Sequence, residues 1–200
     1  MTRSSHIILF AAMALSSCNE AQDGFTSAEL ALINEADSIM RVLTIDDEND
    51  RGVLRAESTD LPSAILGSEE YRRLSELMVA TVTHPSQDGV GIAAPQVGIN
   101  RRVVAVQRFD KENEPFEVYP NIHIVWASDS LAPGPEGCLS VPDRRGDVMR
   151  SQEIIIEYAD ITRLGEGDFI VQDTVKDFTA VIFQHEIDHL DGILYIDKVI

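Results

Sequence analysis

"HEIDHLDGILY", His185 to Tyr195, is the stretch on which the fold turns. Residues four apart share a helix face, so His185 and His189 can aim at one ion, with Glu186 placed to reach water there. Such a site needs a third protein ligand. Metzincin proteases supply it as a His where this chain has Tyr195, and only Ile196 to Ile200 follow, with no glutamate of the thermolysin kind. The upstream candidates are His6, Cys18, His84, His123 and Cys138. His6 falls in a leader-like segment, His84 sits beside Pro85 at a helix end, and His123 lies in a strand with nothing conspicuous around it. Cys18 ends the leader-like segment, where lipidation is its expected use. Cys138 remains, although a lone cysteine is more often a small buried hydrophobe than a ligand.

Working outward, Asp177 to about Asp191 predicts a helix with Asp177 as its cap and Gly192 as its stop. Phe178, Val181, Ile182, His185 and His189 follow one face, while Phe183 and Ile187 add apolar surface elsewhere, so this helix should be buried among strands. The strands are read from β-branched runs starting at Arg101, Phe116, Gln152 and Asp168, the second taken as one run, "FEVYPNIHIVWAS". Two helices come earlier. One opens with the capping-box pair Thr26 and Glu29 and carries Leu30, Ile33 and Met40 on one face; the other is capped by Ser68 and turns Tyr71, Leu74, Leu77 and Met78 inward. Residues 46–63 lack a period and read as loop. No helices alternate with the strands as parallel crossovers require, so the fold class is α+β, with mostly antiparallel sheets around a buried C-terminal HExxH helix.

Two hundred residues that are 44% hydrophobic suit one globular core. A net charge of −18 argues against a nucleic-acid partner and against electrostatic docking to anionic lipid. The first residues read differently. Arg3, an apolar run from Ile7 to Leu15 and then small residues have the pattern of an export signal, and "LSSC" ending at Cys18 resembles the lipobox of bacterial lipoproteins. The chain then divides into a signal peptide (1–17), a tether with a helical extension (18–39) and a catalytic domain (40–200). Lipidation would take Cys18 and leave Cys138, the other cysteine, without a disulfide partner in an oxidising compartment. Metal ligation would account for it.

"GVGIAAPQVG" (Gly89 to Gly98), "EGCLSVP" (Glu136 to Pro142) and "QHEIDHLDG" (Gln184 to Gly192) resemble, in order, the three motifs of peptide deformylases. The resemblance runs from about Met40 to Ile200. It implies an α+β fold wrapped around the HExxH helix and removal of the formyl group from N-formylmethionyl peptides. It implies Cys138, His185 and His189 as metal ligands and Glu186 as the proton carrier. It further implies Gln96 and the backbone N–H of Leu139 as donors to the oxyanion, and Gly89 and Gly91 beside a substrate that adds as a strand. Glu136 and Gln184 are candidates to support the ligands, and Arg145 reads as a loop charge. The family often uses Fe2+, and Zn2+, Ni2+ or Co2+ also suit a Cys/His/His site.

Some features depart from the family's pattern. Tyr119-Pro120 replaces a common Asn-Pro, Asp177 stands where Gly is usual, and "YIDKVI" ends the chain where many relatives add a helix. The leader implies a protein anchored outside the cytoplasm through Cys18, meeting formylated peptides there; unused, it would leave a cytoplasmic enzyme, and in either place a monomer is expected. Two readings stay open beside deformylation: another metal-dependent amidohydrolase or peptidase, and a metal-binding lipoprotein without catalysis.

Overall fold

The computed structural model describes residues 24–200, so the leader and Cys18 lie outside the described residues. Its centre is a helix, α5, as the HExxH stretch requires. Counting from the start, the helices are α1 (Ser27–Glu35), α2 (Glu48–Leu54), α3 (Ser63–Leu66), α4 (Glu69–Val82) and α5 (Asp177–Leu190). The strands are β1 (Gly91–Ala93), β2 (Val103–Gln107), β3 (Phe116–Pro120), β4 (His123–Ala127), β5 (Leu131–Cys138), β6 (Val141–Ser151), β7 (Glu153–Ala159) and β8 (Ile170–Lys176). They form three sheets, ordered β1-β2-β3, β4-β7-β8 and β5-β6, and every strand pair is antiparallel. The expected α+β class holds.

The run "VVAV" in β2 shows why the sheets surround α5. All four residues are fully buried, because successive side chains enter different cores. Val103 and Ala105 join Ile33, Leu74, Met78 and Ile92 between the sheet and helices α1 and α4. Val104 and Val106 join Ile154, Ile156, Val175, Phe183 and Ile187 around α5. A third core of Leu43, Leu54, Val141, Val148, Leu194 and Tyr195 closes the far end. Each fully buried aliphatic side chain contributes roughly 1.5–3 kcal/mol, so α5, apolar on several sides, is held from several directions.

Local chemistry explains the helix ends. In α1 both halves of the capping box form, Glu29 N to Thr26 Oγ1 and Thr26 N to Glu29 Oε2. Ser68 caps α4, and Tyr71, Leu74, Leu77 and Met78 are buried as expected. Gly192 ends α5 with φ +70, and a Cβ there would stand 2.5 Å from the Arg55 carbonyl oxygen.

Several expectations are corrected. The first helix stops at Glu35, so Met40 is buried but not helical; Arg73 binds the Ile33 and Ala36 carbonyls and ends α1 there. Residues 46–63 are not all loop, because Asp47 caps α2 by accepting from Asn49 N and Asp50 N. The run from Phe116 is two strands in different sheets. It breaks at Asn121, whose φ is 53 and whose side-chain amide bonds both backbone groups of Leu61. Phe178 is 55% exposed at the mouth of a cleft instead of buried on the helix face. Asp177 caps nothing: the cap position is Lys176, and Asp177 has φ 53.

Candidate metal centre and its cleft

Helix α5 and the end of β5 bring the candidate ligands together. The Cys138 Sγ and one ring nitrogen each from His185 and His189 lie within 4.8 Å of one another. Metal–ligand bonds near 2.0–2.3 Å place such atoms roughly 3–4 Å apart around one ion, so this set fits a single cation. Cys138 reaches the site because β5 turns back into β6 through Leu139 and Ser140, with Cys138 paired to Val141. Its Sγ stands 3.2 Å from His189 Nε2.

The ring of His185 is fixed from behind. Its Nδ1 bonds Glu136 Oε2 at 2.8 Å, which turns Nε2 toward the thiol. Tyr195, at the metzincin histidine position, is buried with its ring stacked on that of His185 at 6.1 Å. Glu136 in turn accepts from Arg150 Nε at 2.7 Å and Nη2 at 2.9 Å, and Arg150 Nη1 donates to Asp188 at 2.6 Å. Burial would raise the Glu136 carboxyl, but the bonds from Arg150 and His185 prevail and hold it at about 2. It therefore stays anionic and gives His185 a fixed orientation, as partners behind a metal-ligating histidine do. Sequence reasoning offered Glu136 only weakly and missed Arg150 and Asp188. Gln184 does not support a ligand: its amide bonds the backbone of Ser151 and Ala180.

The two rings are held in different electrostatic surroundings. Burial works to lower His185, yet Cys138 and Glu136 outweigh it and raise the ring to about 10. Burial and the neighbouring His185 drive His189 well below the ordinary histidine range. Two imidazoles and a thiol that converge within 4.8 Å are a donor set that suits one divalent ion.

The centre opens onto a cleft of about 810 Å³ lined by Gly89, Gly91, Gln96, Leu139, Phe178 and Glu186, among others. Glu186 is 4% exposed, and its Oε2 has no hydrogen-bond partner among the described residues. Burial pushes its carboxyl up to about 7. The close approach at Gly91 is to this side chain, since a Cβ there would lie 2.6 Å from Glu186 Oε1. At Gly89 a Cβ would meet Val82 at 2.8 Å. Gln96 sits in a 3-10 turn, Ala94–Val97, and is oriented by Ala93 N donating to Oε1 at 2.8 Å. That leaves its Nε2 pointing at Cys138 Sγ, 3.5 Å, and Ser140 Oγ, 3.2 Å. His84 and His123 lie elsewhere, bonded to Ser86 and Asp60. Arg145 is exposed on β6 but lines the cleft.

Two inward-pointing histidines, a thiol, a buried carboxyl and an oriented amide define a metal-dependent hydrolase. The model of the family described as polypeptide deformylase matches residues 39–200. Peptide deformylase of Caulobacter sp. is 36% identical over 162 residues, covering 80% of this chain and 87% of its own. Peptide deformylase 2 of Gloeobacter violaceus is 40% identical over 134 residues, covering 66% and 67%. Among solved structures, the Met-Ala-Ser-bound class I type b peptide deformylase of Acinetobacter baumannii superposes with a TM-score of 0.69 at 33% identity, over 80% of this chain and 98% of that one. The enzyme of Thermotoga maritima gives 0.69 at 29%, over 82% and 99%. The chain belongs to the peptide deformylase family, metal-dependent hydrolases that remove the N-formyl group of peptides.

Proposed function

We propose that Cys138, His185 and His189 hold one divalent ion, Fe2+ by family resemblance, with Zn2+, Ni2+ and Co2+ as chemically suitable replacements. When bound, the ion supplies Lewis acidity that polarises the formyl oxygen and makes water nucleophilic near neutral pH. Glu186 takes a proton from the attacking water on its unpartnered oxygen and passes it to the departing amine. The observation that carries this role is the carboxyl itself, buried, with one oxygen unpartnered among the described residues and lining the cleft beside the ligands. Gln96 Nε2 and the Leu139 N–H donate to the oxygen as it gains charge. Strand β1 is the edge of its sheet, and the stretch at Gly89 and Gly91 borders the cleft, so an N-formylmethionyl peptide can pair along it as an added strand.

The leader supports a further reading from sequence alone: residues 1–17 as an export signal, lipid on Cys18, and an enzyme acting outside the cytoplasm on formylated peptides. Activity in a membrane fraction that moves to the soluble fraction on Cys18→Ala would support it, and unchanged partition would reject it. No helix among the described residues is long and apolar enough to cross a membrane.

The catalytic proposal is tested by formate release from N-formyl-Met-Ala-Ser with the full chain loaded with Ni(II). Glu186→Ala should bind metal as before and lose about 10²–10⁴-fold in kcat. Full activity in that variant would overturn the role of Glu186.

A further inference from the structure

The family match begins at residue 39, yet the segment before it is built into the domain. Glu29, from the first turn of α1, is 8% exposed and accepts from Arg101 Nε at 3.0 Å and Nη2 at 2.9 Å, while Arg101 itself is 2% exposed. Arg101 also donates to the Gly24 carbonyl and to Thr59 Oγ1. Ile33 fills a slot in the core that includes Val97 and Ile99. Leu32 lies across Gly98, where an added Cβ would be 2.9 Å from Leu32 Cδ1.

All these contacts converge on one place, the end of the turn that carries Gln96. Gly98 leaves that turn with φ +89, Ile99 N bonds Ala94 O at 3.0 Å, and Arg101 N bonds Ile99 O at 2.8 Å. Two backbone bonds therefore connect the buried guanidinium to the first residue of the Gln96 turn. A guanidinium leaves water only against partners that satisfy its donors, and Glu29 of α1 and the Gly24 carbonyl are among those partners here. Without the segment Arg101 would lose its buried carboxylate partner and Gly98 would lose the side chain that covers it. The turn would then keep its sequence but lose its brace on that side.

We propose that residues 24–38 form a strap that positions the Gln96 turn, with Glu29, Arg101 and Leu32 as positioning residues. This rests on the oxyanion role assigned to Gln96 above. A donor held in place by its surroundings stabilises developing charge without reorganising, so loosening the strap acts on turnover more than on peptide affinity.

The test uses the full chain loaded with Ni(II), with N-formyl-Met-Ala-Ser as substrate. Leu32→Ala changes a side chain that is 45% exposed and should fold. Glu29→Gln keeps the shape but removes the charge. Both should lower kcat about three- to tenfold with KM within about twofold, and both should speed hydrogen exchange at residues 94–99. Asn34→Ala, exposed on the same helix, should change neither. A lower melting temperature with unchanged kcat and unchanged exchange in both variants would reduce the segment to a stability element and overturn the proposal. Gln96→Ala separates the two readings. If it retains kcat, the oxyanion role fails and the strap's catalytic purpose fails with it; if it loses kcat while the α1 variants do not, the strap alone fails.

Discussion

Gly91 is glycine because Glu186 occupies the space its side chain would take, with Ile182 2.9 Å away on the same side. The buried carboxyl and the glycine are thus one feature shared between β1 and α5. Gly91→Ala should push Glu186 out of line and lower kcat by about 10²-fold, with the metal content per chain unchanged. Elemental analysis beside a formate assay would check both, and lost metal would instead mean that the ligands had moved. The residues of the HExxH motif were legible because i and i+4 share a helix face. Cys138 was legible only through its flanks. Arg150 and Asp188 were not, because they reach Glu136 through the hairpin register of β5 and β6 and the packing of α5 on β6, which no local pattern encodes.

Helices α1, α4 and α5 could be read from their caps and periodicity, whereas β5 could not. Its sequence, "LAPGPEGC", carries two prolines and two glycines, all poor strand formers, and it exists because β6 pairs with it along nearly its whole length. The break after Pro120 was equally hidden, since it depends on Asn121 bonding Leu61, sixty residues earlier in the chain. The start of α5 carries a testable cost. Asp177 sits at φ 53, the left-handed region that favours glycine. Asp177→Gly should relieve that strain, partly offset by losing a negative charge from the first helical turn, and raise the melting temperature by about 1–3 °C. A fall would show that the carboxylate outweighs the strain.

At the scale of the whole molecule, acidity and stability are linked through buried arginines. Arg108 is 2% exposed and binds Asp110 through two bonds at 2.7 and 2.8 Å and Asp173 at 2.9 Å. The Arg108 hydrogen bonds hold the Asp110 carboxyl below its ordinary value of 3.8. A depressed carboxylate stabilises the fold above its unfolded value, and that contribution disappears as pH falls through the lower folded value. Urea unfolding at pH 7 and pH 3 should therefore show a loss of stability on acidification that is smaller in Arg108→Met. An equal loss in both would remove Arg108 from the acid response. The α+β class and the antiparallel sheets were readable from strand spacing, but the three separate cores were not, because "VVAV" does not show that its two faces are covered by different elements. The proposed metal centre depends on Cys138, from β5, joining two histidines of α5 on one ion. The most direct measurement is the absorption spectrum of the Co(II)-loaded chain beside that of Cys138→Ser. We expect one Co(II) per chain with a sulfur-to-cobalt charge-transfer band that disappears in the variant, and an unchanged spectrum would mean that the thiol is not a ligand.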